Sequence, residues 1–130
     1  MESNPPSLDR SLACLTSLVY FIQGALGIAA VAFPLFLRQK GWGIPEISTF
    51  LFIESLPWTL KVVYGACSDS IPLFGYRRKS YLILSSLLSS AGWLGLSLLP
   101  QPTLGIYIFG LTANFGFAVT DVVTDALIVQ

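Results

Sequence analysis

Four long apolar stretches follow one another along the chain, and they constrain its fold more than any other feature. They cover residues 12–37, 47–67, 81–99 and 104–130. Each is close to or above the roughly 20 residues that a helix needs to cross a bilayer. Because the hydrocarbon core holds no water, a spanning segment has to satisfy its backbone hydrogen bonds internally, as a helix does. The sequence therefore predicts an all-α membrane protein with four transmembrane helices.

Composition agrees with a lipid bilayer as the main partner of the chain. Charged residues make up only 11% of the sequence, whereas soluble domains carry about a quarter. Seven basic and seven acidic residues balance, so no net charge favours nucleic acid. The chain has no histidine, and Cys14 and Cys67 are not spaced as metal or redox ligands. We therefore expect no metal site, no cofactor and no enzymatic activity.

The polar segments between the apolar stretches indicate an orientation. Residues 1–11 form a short tail, and residues 68–80 form the loop between the second and third helices. Basic residues in short loops favour the cytoplasmic side. The tail and this loop carry four of them and the opposite side two, namely Arg10, Arg77, Arg78 and Lys79 against Arg38 and Lys40. The sequence predicts a cytoplasmic tail and loop.

Four charged side chains lie inside the predicted spans. Glu54 and Lys61 are seven residues apart in the second helix, and Asp121 and Asp125 are four apart in the fourth. Both spacings place the two members of a pair on one helix face. Charges at membrane depth are costly and usually mark a transport pathway or an ion pair.

The fourth helix carries a polar stripe. Tyr107, Asn114, Asp121 and Asp125 fall within a narrow arc at 100° per residue. Such a stripe faces either a water-filled cavity or the polar groups of a neighbouring helix, and the sequence leaves both open. Gln23, near the middle of the first helix, could bind a substrate or a neighbouring helix in the same way.

Depth suggests which of these charges meet. At 1.5 Å per residue, Lys61 lies roughly 20 Å from the outer end of the second helix, and Asp121 lies roughly 25 Å from the outer end of the fourth. Because the two side chains lie at similar depths, they could neutralise each other. Glu54 has no obvious partner in the chain, and an isolated carboxyl in an apolar medium readily takes up a proton. Its partner could equally lie outside this chain. Pro57, between Glu54 and Lys61, can kink the second helix.

Small residues recur in three of the four helices. Small side chains let helix backbones approach closely in lipid, so we expect them to mark helix–helix contacts. They are Ser85, Ser86, Ser89, Ser90, Ala91, Gly92 and Gly95 in the third helix, Gly110, Ala113 and Gly116 in the fourth, and Gly24, Ala25 and Gly27 in the first.

The loop after the second helix carries a recognisable motif. Gly65 is followed four residues later by Asp69, and then by Gly75 and a basic cluster that ends at Lys79. This pattern resembles the signature loop of the major facilitator superfamily, although the gap between the aspartate and the second glycine is longer than in the general motif. The longer gap, together with the segments 61–65 and 121–126, resembles the folate–biopterin transporter family.

The resemblance implies a fold and an activity. Major facilitator carriers have about twelve helices in two halves, so this chain would be a partial N-terminal bundle that needs the remaining transporter helices or a second membrane chain. The family carries folates or pterins, by facilitated or proton-coupled transport. Its expected location is a bacterial inner membrane of cyanobacterial type, or a plastid envelope with the tail in the stroma.

The resemblance also implies roles for individual residues. Asp69 would act as a latch against the partner half, and Arg77 or Arg78 would pair with Asp125 as part of a gate. Asp121, and not Asp125, would then bind the substrate or the proton.

A pterin presents adjacent N–H donors that a carboxylate can accept. Asp121 or Glu54 could do so, with Phe115 or Tyr107 stacking on the ring. Lys61 is the only intramembrane cation available for the anionic tail of a folate.

Two other functions remain open. A small self-assembling multidrug exporter also has four helices in this length, but it normally needs an acidic residue in the first helix, where this chain has none. A non-transporting membrane subunit or regulator, such as an inactive truncated product that pairs with a complete carrier, has the same composition as a transporter. Uptake of labelled folate separates these functions from transport.

Overall fold

The computed structural model describes residues 10–76, 78–99 and 104–129. In this part of the chain the structure is all-α, as the sequence predicts. Three of the helices are long and apolar enough to cross a membrane, and the remaining span is formed by two shorter helices in succession. The helices are α1 (Arg10–Gln39), α2 (Ile44–Thr59), α3 (Lys61–Ser70), α4 (Arg78–Leu98) and α5 (Leu104–Ile128).

The span formed by α2 and α3 is interrupted at Leu60, whereas the sequence predicts one continuous helix. Pro57 lacks a backbone N–H, so one hydrogen bond of the α-helix is missing at its position. Three residues later the Leu60 N–H donates to the Pro57 carbonyl at 3.2 Å, which tightens the last turn of α2. The bend makes Lys61 the first residue of α3. Pro57 indicates a possible kink in the sequence, but hydropathy does not show that the helix breaks at Leu60.

Close packing of α4 on α5 forms the most buried part of the bundle. A Cβ atom added at Gly116 would lie 2.5 Å from the backbone of Ser85 and of Ser89, and one at Gly92 would collide with the backbone of Ala113. The Ser89 hydroxyl donates to the Ala113 carbonyl at 3.0 Å. The expectation that small residues join these two helices is therefore confirmed for Ser85, Ser89, Gly92, Ala113 and Gly116. It is wrong for Ser86, Ser90 and Ala91, which are exposed.

The same expectation is wrong for α1. A Cβ atom at Gly24 or Gly27 would meet nothing within 4 Å in the described structure. Leu37 is the buried residue of α1, and it packs with Phe50 and Ile106. We call this end of the bundle the far end. Elsewhere α1 lies loosely along α5, so its small residues are not needed for close approach.

At the opposite end, which we call the signature-loop end, α3 continues to Ser70 and shortens the predicted loop. The backbones of Leu73 and Tyr76 exchange two hydrogen bonds, at 3.1 and 3.0 Å, around a tight turn. Phe74 and Gly75 have positive φ angles of 52° and 80°. Such angles suit glycine, which has no Cβ, so Gly75 allows the backbone conformation that the turn requires. The tail up to residue 9 lies outside the described residues.

Replacement of Gly116 by leucine should destabilise the bundle. The new side chain would force the backbones of α4 and α5 apart, and overpacking of this kind costs about 1–3 kcal/mol. Thermal unfolding of the purified protein in detergent measures the effect. Gly24→Leu is the matched control, since that position has open space, and it should leave the unfolding temperature unchanged. Equal unfolding temperatures for the two variants would contradict the packing described here.

Candidate functional site

A cavity of about 420 Å³ lies between α1, α2 and α5 and is closed by the first residue of α3 and by Trp93 of α4. Its wall is mostly apolar, but five polar or charged side chains point into it. They are Gln23, Glu54, Lys61, Asn114 and Asp121. These are the same five residues that the sequence nominates for substrate or proton binding, although they are distributed over four helices. The structure therefore brings the predicted group together.

Asp121 is the central residue of this group. Its side chain is only 11% exposed, and both of its carboxylate oxygens accept hydrogen bonds. Oδ1 accepts from Gln23 Nε2 of α1, and Oδ2 accepts from Lys61 Nζ of α3. The predicted meeting of Lys61 and Asp121 is thus confirmed. A single carboxylate joins α1 and α3 to α5.

Lys61 has a second partner besides Asp121. Its Nζ atom lies 4.4 Å from the centroid of the Trp58 ring, a distance at which an ammonium group is attracted to the face of an indole. The bend at Leu60 separates the two residues, with Trp58 near the end of α2 and Lys61 at the start of α3. The Lys61 side chain is 35% exposed, so it remains accessible from the cavity.

Glu54 differs from Asp121 in the kind of partner it has. The Asn114 amide lies beside the Glu54 carboxylate, and both side chains line the cavity. Asn114 Oδ1 accepts from Trp58 Nε1 at 3.2 Å, and its Nδ2 donates to the Gly110 carbonyl at 3.3 Å. Among the described residues, no basic group lies within 4 Å of Glu54. Glu54 therefore forms no ion pair in this part of the chain, unlike Asp121.

A second hydrogen bond between α1 and α5 lies one helical turn away from Asp121. The Tyr20 hydroxyl donates to Asp125 Oδ1 at 2.5 Å. Sequence reasoning missed Tyr20, although it precedes Gln23 by three residues and so shares its helix face. The contacts Tyr20–Asp125 and Gln23–Asp121 run side by side and fix the rotation of α1 against α5.

The aromatic residues that line the cavity differ from those that the sequence suggests. Tyr107 stacks on Trp42 at the far end, with ring centroids 5.6 Å apart, and Phe115 packs on Tyr64 at 5.2 Å. Neither contributes to the wall of the cavity. The aromatic rings of the wall come from all of the elements except α3, namely Phe33, Trp58, Trp93 and Phe117.

At the signature-loop end, Arg78 connects three helices. Its Nε and Nη2 atoms donate to Asp69 Oδ1 at 2.9 and 2.7 Å, and its Nη1 donates to the Ala126 carbonyl at 2.5 Å. The structure therefore pairs Arg78 with Asp69 of α3, whereas the sequence pairs it with Asp125. Asp125 lines the same surface depression as Asp69 and Arg78 but bonds Tyr20. Arg77, the other arginine nominated for this pair, lies outside the described residues.

Gly65 of the signature motif has a packing role. A Cβ atom at this position would lie 3.3 Å from Val122 of α5. The glycine therefore lets α3 approach α5 in the turn that follows the Lys61–Asp121 ion pair. This close approach keeps Lys61 within reach of the carboxylate.

Comparison with known proteins agrees with this architecture. The chain is 38% identical over 98% of its length to the folate-biopterin transporter of Synechocystis sp., of which it covers 25%. It is 37% identical over 89% of its length to probable folate-biopterin transporter 4 of Arabidopsis thaliana, covering 24% of that protein. It is also 31% identical over 99% of its length to folate transporter 1 of Plasmodium falciparum, covering 26%.

The chain thus spans about a quarter of the length of these relatives. No solved structure matches it. Residues 23–130, which include every residue of the cavity wall and of the signature loop, match the BT1 family. The chain is an integral membrane protein that belongs to the BT1 family.

Proposed function

We propose that the chain forms part of the first half of a membrane carrier for folates or pterins. The observation that carries this proposal is the single cavity in which five polar side chains from four helices converge. The names of the relatives, which describe folate and folate-biopterin transporters, supply the substrate class. Further transmembrane helices, from the same protein or from a second membrane chain, would complete the pathway, since the relatives are about four times as long.

The cavity offers separate groups for the two ends of a folate. A pterin ring presents an amino group and a ring N–H side by side, and a carboxylate can accept both. Glu54 is better suited to this task than Asp121, because both oxygens of Asp121 are occupied by Gln23 and Lys61. The anionic tail of a folate needs a cation, and Lys61 is the only basic side chain in the described cavity wall.

The aromatic rings of the wall would hold the flat ring system. Trp58 and Phe117 meet edge to face with centroids 5.8 Å apart, and Trp93 lies across the cavity on α4. Offset or edge contacts between rings contribute about 0.5–1.5 kcal/mol beyond the burial of area. The ring would lie among these aromatic side chains, with its N–H edge toward Glu54.

Replacement of Glu54 by glutamine should lower the uptake of labelled folate and labelled biopterin. The amide cannot accept two N–H donors as a carboxylate does, and loss of a hydrogen bond to a charged group costs about 1.5–3 kcal/mol, or roughly 10- to 100-fold in affinity. Initial uptake rates in cells that express the protein measure the effect. Glu46→Gln is the matched control, because Glu46 is an exposed residue in the first turn of α2, and it should transport normally.

Two outcomes would overturn these proposals. Normal uptake by the Glu54→Gln protein would remove Glu54 from the binding site. Absence of any folate or biopterin uptake, with the unaltered protein present in the membrane, would favour a non-transporting subunit or regulator.

The signature-loop end would be the cytoplasmic side, or the stromal side in a plastid. Here Asp69, Arg78 and the Ala126 carbonyl hold α3, α4 and α5 together. This arrangement suits a gate whose second half would come from further transmembrane helices. Arg78 is central because a guanidinium group can donate in several directions at once, which a lysine ammonium cannot do with the same geometry.

Replacement of Arg78 by lysine should loosen this end of the bundle. Cys67 of α3 is half-buried, and its carbonyl accepts a hydrogen bond from Tyr81 of α4 at 3.3 Å. In a Cys14→Ser background, a membrane-impermeant maleimide should label Cys67 several-fold faster in the Arg78→Lys protein. Labelling should occur only when the reagent has access to the cytoplasmic face. The control is Lys79→Arg, since Lys79 is exposed. Unchanged labelling rates would contradict the role of Arg78, and labelling from the opposite face would contradict the orientation.

A further inference from the structure

Lys61 and Asp121 form a neutral pair in the cavity, beside the acidic side chain of Glu54, and a charged substrate has to disturb this pair. Lys61 and Asp121 carry opposite charges and neutralise each other. A substrate carboxylate that enters brings one additional negative charge into a mostly apolar wall. Uncompensated charge at membrane depth is costly, so either the substrate is excluded or the site gains one positive charge.

We propose that the Lys61–Asp121 ion pair couples substrate binding to proton uptake by an exchange of partners. A substrate carboxylate accepts Lys61 Nζ–H in place of Asp121 Oδ2, and Asp121 takes one proton from a hydronium ion at the oxygen that the lysine has left, which releases a water molecule. One hydrogen bond and one O–H bond of the hydronium ion break, one hydrogen bond and one O–H bond of Asp121 form, and no bond within the substrate changes. Each folate molecule that takes Lys61 from Asp121 thus enters with one proton. This inference rests on the proposed transport of folates.

The geometry around Lys61 suits such an exchange. Its ammonium group already has two partners, the Asp121 carboxylate and the Trp58 ring. When it leaves Asp121, the Trp58 ring still attracts it and keeps it within the cavity. Its 35% exposed side chain can be reached by a ligand, whereas a fully enclosed ion pair could not exchange partners without opening of the bundle.

Asp121 has a partner that tolerates both of its protonation states. Gln23 Nε2 donates to Oδ1, the oxygen that does not bind Lys61. A neutral amide donor can bind the carboxylate and also the carbonyl oxygen of the protonated acid. The proton therefore adds to Oδ2, where the lysine departs, and the contact between α1 and α5 is retained.

The other titratable groups near Asp121 leave it as the site of proton uptake. Glu54, the second acid in the cavity, is not paired with Lys61 and loses no cation when a carboxylate binds Lys61. Asp125, one turn along α5, is engaged by Tyr20 of α1. From α4 the described wall receives Trp93, which does not titrate. Lys61 is the basic group that faces Asp121, from α3.

The exchange distinguishes two substrates of the same class. Folic acid has a carboxylate tail that can bind Lys61, whereas biopterin has the ring but no carboxylate. Binding of biopterin leaves the Lys61–Asp121 pair intact and requires no proton. A site that took up protons at Glu54 through the ring edge would do so with both ligands.

Calorimetry of the purified protein in lipid nanodiscs tests the exchange. Titrations at pH 7 in buffers with different enthalpies of ionisation give the number of protons taken up for each ligand bound, because binding and protonation are linked. We expect about one proton for folic acid and about zero for biopterin. Asp121→Asn should abolish the proton uptake with folic acid. Lys61→Gln should weaken folic acid binding at least tenfold more than biopterin binding. Lys40→Gln, outside the cavity, should behave like the unaltered protein.

Each result decides the matter. Equal proton uptake with the two ligands, or uptake that persists in Asp121→Asn, would overturn the exchange. If Asp121→Asn does not fold, the comparison of folic acid with biopterin on the unaltered protein still decides it. Absence of binding by either ligand would instead contradict the proposed function.

Discussion

The buried carboxylate of Asp121 is the group on which the arrangement of the bundle depends. A charge at this depth is tolerated only when its oxygens are paired, and here Gln23 and Lys61 supply the two donors from different helices. The requirement to satisfy one side chain therefore sets the position of α1 and α3 relative to α5. The same contacts close one side of the cavity, so the structural and functional roles of Asp121 are inseparable.

Two kinds of helix contact surround Asp121, and they differ in how strongly they resist separation of the helices. The α4–α5 pair has backbones in near contact at Gly92 and Gly116, which resists change because any separation loses many close contacts at once. By contrast, α1 is held by Leu37 at the far end and by the polar contacts of Tyr20 and Gln23 along its length. The polar contacts of α1 can exchange partners without separating α4 from α5, which suits a carrier that binds and releases a charged substrate.

Sequence reasoning succeeds where spacing within one helix is enough. Hydropathy predicts the spans, and helical periodicity places Asn114 and Asp121 on one face. It fails where the rotation or depth of a neighbouring helix decides, because no pattern in a single sequence reports these. Tyr107 thus belongs to the far end and not to the cavity, and Arg78 binds Asp69 and not Asp125. Pro57 indicates a possible kink in the second span, but the sequence does not show that the helix breaks at Leu60.

The most direct test of this account measures the position of α1 when Asp121 is lost. Pairs of spin labels at exposed residues, Leu18 with Leu84 at the signature-loop end and Leu35 with Leu98 at the far end, report the α1–α4 distance by pulsed electron paramagnetic resonance in a cysteine-free background. In a Tyr20→Phe background, which removes the neighbouring contact of α1 with Asp125, we expect Asp121→Val to broaden the first distance distribution and to leave the second unchanged, because Leu37 still packs with Phe50. Identical distributions at the signature-loop end with and without Asp121 would contradict the account.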